Sequence, residues 1–137
     1  MKKIINVMAM LLLVFLMTAI TSCKKESQNL ILGKWECVTA SFTEDGETNP
    51  VPGVVGLVWE FKANGTVIAT LPEDLDDGDT ASYVVLNNQL TITSTDENGD
   101  VNTKTYTIKE LTKTKLMLEM LEGSSGNDLL SVEFKKI

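Results

Sequence analysis

The sequence has no histidine and no arginine, and its 137 residues include only two cysteines and three prolines. Without histidine, the chain cannot use an imidazole as a catalytic acid or base, or as a metal ligand. All 19 acidic residues lie after position 22 with 10 of the 12 lysines, so residues 23–137 carry a net charge of −9. Nucleic-acid binding needs a basic face, and this composition argues against one. The length of this part fits a single domain.

The N-terminal segment has the order of a secretory leader. Lys2 and Lys3 precede the apolar stretch Ile4–Ile20, and small residues follow it. A retained transmembrane anchor is the alternative, because the stretch is at the lower limit for spanning a bilayer. The segment Ile20-Thr21-Ser22-Cys23 resembles the lipobox of bacterial lipoproteins, in which the cysteine thiol is diacylated and the chain is cut just before it. The resemblance implies a signal peptide over residues 1–22 and a lipidated Cys23.

Lipidation at Cys23 predicts a membrane-anchored protein, because several acyl chains such as palmitate hold a protein far more firmly than one. The polar residues 24–29 would then form a tether that reaches about 20 Å when extended. Lys24 follows the cysteine, which in the well-studied sorting system favours the outer membrane. Only Glu26 of the tether is acidic, so the sequence leaves open whether the domain faces the periplasm or the cell surface.

From residue 30 onward, apolar and polar residues alternate with period two and predict an all-β domain over residues 30–137. Fourteen threonines after position 22 favour strands as well. The predicted strands are Lys34–Phe42, Leu57–Lys62, Thr66–Leu71, Ala81–Leu86, Gln89–Thr95, Val101–Lys109, Lys115–Glu122 and Leu129–Lys135.

The connections predict hairpins. Asn64-Gly65 and Asn98-Gly99 supply the positive φ that tight turns need, and Asn87-Asn88 suits a two-residue loop. Residues 43–56 and 72–80 are longer connections, and residues 52–57 could form a short helical lid.

The alternation also assigns faces to the strands, placing Trp35, Cys37 and Thr39 together on the first one. Eight antiparallel strands joined by short hairpins, each with one apolar face, favour a small up-and-down barrel. A two-sheet sandwich is the competing way to close the same strands.

Five short motifs occur in one order along this domain. They are Ile31-Leu32-Gly33-Lys34-Trp35, the run WEFKANGT from Trp59 to Thr66, Asn88-Gln89-Leu90-Thr91-Ile92, the pattern Y-x-I-x-x-L-T-x-x-x-L-x-L from Tyr106 to Leu118, and Phe134-Lys135-Lys136. Together they resemble the lipocalin-like domain of Bacteroidota lipoproteins over residues 30–137. The resemblance implies a calyx-shaped barrel that could hold an apolar ligand.

The Gly-x-Trp opening is also similar to that of the lipocalins proper, whose tryptophan packs across the closed end of the barrel under a late-strand arginine. This chain has no arginine, so Lys135 or Lys136 is expected to cover Trp35 instead.

Inward-facing side chains could line a ligand cavity or could equally fill the barrel as core, since eight strands lie at the boundary between the two. The candidate ligand-binding residues are Trp35, Cys37, Trp59, Phe61, Tyr83, Leu90, Ile92, Tyr106, Ile108, Leu118, Met120, Val132 and Phe134.

No residue pattern predicts catalysis, a metal or a cofactor. Cys37 has no histidine or arginine to activate it and is expected to be a small buried hydrophobe. The acidic runs Glu73–Asp79 and Asp96–Asp100 contain the carboxylates that Ca²⁺ prefers, but their spacing does not fit an EF-hand, so they are expected to be solvated loops.

The sequence therefore predicts a membrane-anchored, non-enzymatic binding protein of the bacterial envelope. Its ligand would be small and apolar or amphipathic. The alternative is a filled barrel that docks another envelope protein, and an enzyme that uses carboxylates at the barrel mouth is a third, weaker reading. An apolar cavity would favour ligand binding, whereas a filled interior with an exposed apolar patch would favour docking.

Overall fold

The alternating segments form antiparallel strands that curl into a barrel. The computed structural model describes residues 26–71, 78–122 and 126–137. The strands of this part are β1 Gly33–Glu44, β2 Glu47–Pro50, β3 Val58–Phe61, β4 Thr66–Thr70, β5 Asp79–Leu86, β6 Gln89–Thr95, β7 Val101–Leu111, β8 Lys115–Glu122 and β9 Asp128–Lys136. A 3-10 turn occupies Pro52–Val54, and residues 26–31 are helical.

The sheet is closed by its first and last strands. Neighbours follow the order β2-β1-β3-β4-β5-β6-β7-β8-β9, and β1 also pairs with β9. Eight of the strands therefore form an up-and-down barrel, and β2 is added at its edge. The predicted barrel is confirmed and the sandwich is wrong. Strands β6 and β8 begin and end at the predicted residues.

The predicted hairpin turns form as expected. Asn87 and Asn88 both have positive φ, at 50° and 58°, which closes β5 onto β6 with a two-residue loop. Gly65 and Gly99 have φ of 84° and 86°. At the second of these turns, the Asp96 carboxylate accepts hydrogen bonds at 2.9 Å from the backbone N–H groups of Asn98 and Asp100.

The predicted long connection after β1 contains a hairpin that the sequence analysis missed. Asp45 and Gly46 turn with positive φ, and β2 then runs back along the end of β1. The 3-10 turn Pro52–Val54 lies in the stretch predicted to be helical. Val54 and Leu57 pack against the core, so this segment covers part of the barrel.

A β-bulge changes the predicted face of β1. The pairing with β9 shifts between Cys37 and Thr39, so that Ala40 is buried and Thr39 is exposed. The expectation that Thr39 shares the inward face of Trp35 and Cys37 is wrong, because the extra residue of a bulge reverses the alternation.

The two ends of the barrel differ. At one end, called the closed end, lie the turns at residues 62–65, 87–88 and 112–114, and helical residues 26–31 pack there. The other, open end carries the β1–β2 and β6–β7 turns and the strand ends joined by the longer connections. Residues 26–29 of the predicted tether are helical and not extended.

The leader, Cys23 and most of the first acidic run lie outside the described residues. In the part of the chain that is described, no helix is long and apolar enough to cross a bilayer.

Candidate functional site: the barrel interior

All thirteen candidate residues lie in one hydrophobic cluster inside the barrel. The buried members are Trp35, Cys37, Phe61, Leu90, Tyr106, Leu118, Val132 and Phe134. The partly exposed members are Trp59, Tyr83, Ile92, Ile108 and Met120. The structure therefore brings the predicted set together, and whether it binds a ligand stays a prediction.

The closed end is built around Trp35, which is 0 % exposed. Its indole Nε1 donates a hydrogen bond of 2.7 Å to the Ile31 carbonyl. The Lys136 ammonium lies 4.9 Å from the centre of the Trp35 ring, and it donates a hydrogen bond of 3.2 Å to the Leu30 carbonyl. Lys136 thus takes the covering position expected for Lys135 or Lys136, and it ties the helical residues to the end of the barrel.

Gly33 allows this arrangement. Its φ is +113°, which side-chain-bearing residues rarely adopt. A Cβ at this position would lie 3.0 Å from Cε of Lys136. The glycine of the Gly-x-Trp motif is therefore needed both for its backbone conformation and for the room it leaves to the covering lysine.

Aromatic rings fill the middle of the barrel. Trp59 of β3 lies 5.9 Å from Tyr106 of β7 and 4.9 Å from Phe134 of β9, measured between ring centres. Phe61 contacts Tyr83 edge-on at 4.9 Å. Because β3 and β7 lie on opposite sides of the barrel, a direct ring contact between them leaves no space for a ligand at that level.

Packing is looser towards the open end. Ile92, Met120 and Leu130 belong to the inward rows of their strands but are only partly buried. On the same strand as Met120, Leu116 and Leu118 are 0 % exposed. The interior is therefore a packed base below a shallow apolar depression, called the mouth here.

Polar residues surround this mouth. By strand register, Asn102 and Lys104 continue the inward row of Tyr106 and Ile108. A polar depression of about 580 Å³ lies at the rim between the ends of β5, β6 and β7, lined by Asp79, Thr80, Ser94, Thr95, Asp96, Asp100, Val101, Asn102 and Thr103. A ligand in the mouth would touch apolar side chains below and polar groups above, which suits an amphipathic molecule.

The titratable groups of the interior are held neutral. Burial raises the pKa of the Cys37 thiol, and the Glu36 carboxylate adds to this rise while a contact with the Thr39 backbone opposes it. Burial raises the pKa of the Tyr106 hydroxyl, as does the nearby Glu122. A thiol with a raised pKa is a poor nucleophile, so Cys37 behaves as the expected buried hydrophobe.

No metal site is visible among the described residues, where no three histidine, cysteine or acidic side chains are grouped. In the second acidic run, the Asp96 carboxylate is occupied by backbone N–H groups of its own turn. Residues 72–77 of the first run are outside the described part, so that prediction is not tested.

Four buried residues were absent from the predicted inward sets: Ile31, Ala40, Val67 and Val85. Val67 and Val85 follow the alternation of β4 and β5 and could have been found from it. Ala40 depends on the bulge, which leaves no clear mark in the sequence. Ile31 is buried because the helical residues pack across the barrel end, a contact between distant parts of the chain.

Comparisons with known proteins agree with this architecture. The family model of the lipocalin-like domain matches residues 31–118. A lipocalin-like protein from Bacteroides uniformis superposes with a TM-score of 0.52 at 18% identity, over 79% of this chain and 99% of that one. An uncharacterized protein from Bacteroides eggerthii gives a TM-score of 0.52 at 18% identity, over 77% of this chain and 98% of that one. No curated protein matches the sequence.

At this identity the two structures show a shared fold alone, whereas the family model covers more than half of the chain and confirms the resemblance seen in the sequence. The chain belongs to the lipocalin-like domain family.

Proposed function

We propose that this protein is a non-enzymatic, lipid-anchored binding protein of the bacterial cell envelope, most consistent with the outer membrane. Its ligand is a small apolar or amphipathic molecule held in the mouth of the barrel. The lipobox at Cys23 supports the anchor, and the lipocalin-like barrel supports a ligand-binding or interaction module. The packed, neutral interior supports a binding role over a catalytic one.

The observation that carries the ligand proposal is the change in burial along the inward rows. Leu116 and Leu118 of β8 are 0 % exposed, while Met120, two residues closer to the open end, is partly exposed. Exposed apolar surface inside a concave wall gains free energy when a ligand covers it, at about 25 cal/mol for each Å² removed from water. The mouth is therefore the part of the interior that a ligand can reach.

This geometry divides the thirteen candidate residues into two groups. Trp59, Ile92 and Met120 border the mouth and would contact the ligand. Trp35, Cys37 and Leu118 are at most 1 % exposed and shape the base beneath it. A shallow site of this kind accommodates part of an extended molecule and leaves its polar end at the rim.

Binding can be tested with residues 24–137 and an uncharged apolar fluorophore such as N-phenyl-1-naphthylamine. We expect a saturable rise in probe emission and a change in tryptophan emission, because Trp59 borders the mouth. Ile92→Lys places a charge in the mouth and should abolish the response. Val84→Lys is the matched control, since Val84 is 59% exposed and points outward from the adjacent strand.

Circular dichroism and urea unfolding of both variants establish that they fold. A parent protein without a saturable response would refute the ligand proposal, and so would equal responses of folded Ile92→Lys and Val84→Lys. Native mass spectrometry of protein purified from its own host would then identify any molecule that co-purifies.

The anchor has its own test. Cys23→Ala should abolish incorporation of labelled fatty acid and release the protein from membranes washed with carbonate. Cys37→Ala is the control, because Cys37 is buried in the barrel and should leave the label in place. Persistent labelling of Cys23→Ala would show that the lipoprotein assignment is wrong.

A second function, docking to another envelope protein, is favoured by the outer surface of β4–β7. Every outward position on these strands from Thr66 to Thr107 is uncharged, in rows such as Thr66–Ser82–Thr93–Thr103 and Val84–Thr91–Thr105. Val101 and Val84 on this surface are 67% and 59% exposed. The surface around β8, β9 and β1 instead carries ion pairs such as Lys135–Glu36 and Lys115–Glu133.

Interface cores are depleted of charged residues, which makes the uncharged surface the better candidate for docking. A photo-crosslinking residue at Val84 should then capture one discrete protein in the host, whereas the same residue at Ser131 of β9 should not. Absence of a crosslink at Val84, together with a saturable probe response, would leave ligand binding as the function.

A further inference from the structure

The two ends of the barrel carry opposite charge. Nine of the described acidic residues lie in strand ends or turns at the open end, among them Glu44, Asp79, Asp96, Asp100, Glu122 and Asp128. In the described part of that end, Lys104 is the lysine set against them. The closed end carries Lys34, Lys62, Lys113, Lys115, Lys135 and Lys136.

Part of the acidic charge at the closed end is neutralised by direct ion pairs. Lys115 lies 3.1 Å from the Glu110 carboxylate and 3.7 Å from that of Glu133, and Lys135 lies 3.0 Å from that of Glu36.

Three exposed lysines remain at this end. Lys34, Lys62 and Lys113 form no ion pair with any described residue, and Lys62 and Lys113 are next to or within the turns that project furthest from the barrel. The surface formed by these three lysines is called the basic base. Glu26 also lies at this end, so the base is locally basic in a protein that is acidic overall.

The chain enters the fold at the same end. Helical residues 26–31 are fixed there by the buried Ile31 and by the hydrogen bond from Lys136 to the Leu30 carbonyl. Cys23 precedes Glu26 by three residues, so it lies within about 10 Å of the closed end whatever the conformation between them.

We propose that the basic base rests on an anionic lipid surface and that the mouth faces away from the membrane. This rests on the proposed lipid anchor at Cys23. Each lysine held close to an anionic surface raises the population of the bound orientation about fivefold. The mouth lies roughly 20 Å from the base for strands of this length and tilt. It is beyond the screening length of about 8 Å, and its acidic residues disfavour the inverted orientation.

The orientation can be measured on the mature chain, residues 23–137, coupled through Cys23 to a maleimide lipid in vesicles. Cys37 is 1% exposed and its pKa is raised, so the maleimide should add only at Cys23, which intact-mass measurement checks. A donor dye is placed at Asn98 in the open-end turn or at Thr114 in the closed-end turn, and an acceptor on the lipid headgroups. The vesicles contain phosphatidylcholine alone or with about one third phosphatidylglycerol.

We expect stronger energy transfer from Thr114 than from Asn98, with a larger difference in the anionic vesicles. The triple variant Lys34→Glu, Lys62→Glu, Lys113→Glu should remove the gain that phosphatidylglycerol gives. Lys104→Glu, which reverses one charge at the open end, should keep it. Lys62→Glu alone provides a milder change should the triple variant unfold.

Equal transfer from the two dyes in anionic vesicles, or stronger transfer from Asn98, would overturn the proposal. A gain that survives in the folded triple variant would overturn the role of the lysines. Because the chemical tether replaces natural acylation, these outcomes do not depend on fatty-acid labelling in the host, which tests the anchor itself.

Discussion

Leu118 and Met120 point into the barrel from the same strand, and substituting each with phenylalanine tests the packed base against the open mouth. Leu118 is 0 % exposed and faces Val132 across the sheet, so the larger ring must displace packed neighbours. Overfilling of this kind typically costs about 1–3 kcal/mol. Met120 is partly exposed at the mouth, where a similar increase in volume should cost less than about 1 kcal/mol.

Urea unfolding followed by tryptophan emission measures both free energies of unfolding. For a domain of this size, Leu118→Phe should lower the melting temperature by about 4–12 °C. Met120→Phe should leave it almost unchanged and weaken binding of the apolar probe. Equal stability losses would show that packing does not differ along β8, and a large loss for Met120→Phe without any probe response in the parent would mean that the mouth is filled.

Three other substitutions test the closed end and the buried tyrosine. Lys136→Met should lower the free energy of unfolding by about 1–3 kcal/mol, since the Leu30 carbonyl and the Trp35 ring lose their partner. Lys135→Met, which removes an exposed ion pair with Glu36, should cost less than about 1 kcal/mol, and similar losses in urea would contradict the covering role of Lys136. Gly33→Ala should cost at least about 1 kcal/mol because its φ is +113°; unchanged stability would count against strain at this position. Burial raises the folded-state pKa of Tyr106, so its stabilising contribution is complete below the unfolded value of about 10 and is lost as pH rises through the folded value. Tyr106→Phe should therefore lose less stability than the parent between about pH 8 and about pH 11 in urea titrations, and equal losses would refute this.

The sequence predicted the barrel because its strands carry their signals locally. Gln89–Thr95 and Lys115–Glu122 alternate cleanly and are bounded by Asn-Asn and Thr-rich turns, so their limits agree with the structure. Strand β2 was missed because all four of its residues are exposed and give no alternation. Asp45-Gly46 was the available signal for this hairpin, since Asp-Gly favours a tight turn.

The site was predictable in membership but not in depth. Parity groups Leu118 with Met120, yet only the three-dimensional packing shows that one is enclosed and the other partly open. Ring contacts across the barrel, such as Trp59 with Tyr106, join residues far apart in sequence and cannot be read from spacing. The helical residues at the closed end are likewise stabilised by tertiary contacts of Ile31 and Leu30 and not by local propensity.

Closure of the barrel by β1 and β9 has a consequence for the order of folding. Trp35 pairs with Lys136, 101 positions later, so the ring cannot close until nearly the whole described chain has been made. Bringing such distant strands together costs loop-closure entropy before the contact gives anything back. The hairpins from β3 to β9 can form first from near neighbours, and β1 must wait with Trp35 exposed. Refolding should therefore be slow, on the order of milliseconds to seconds, and burial of Trp35 should coincide with its final step.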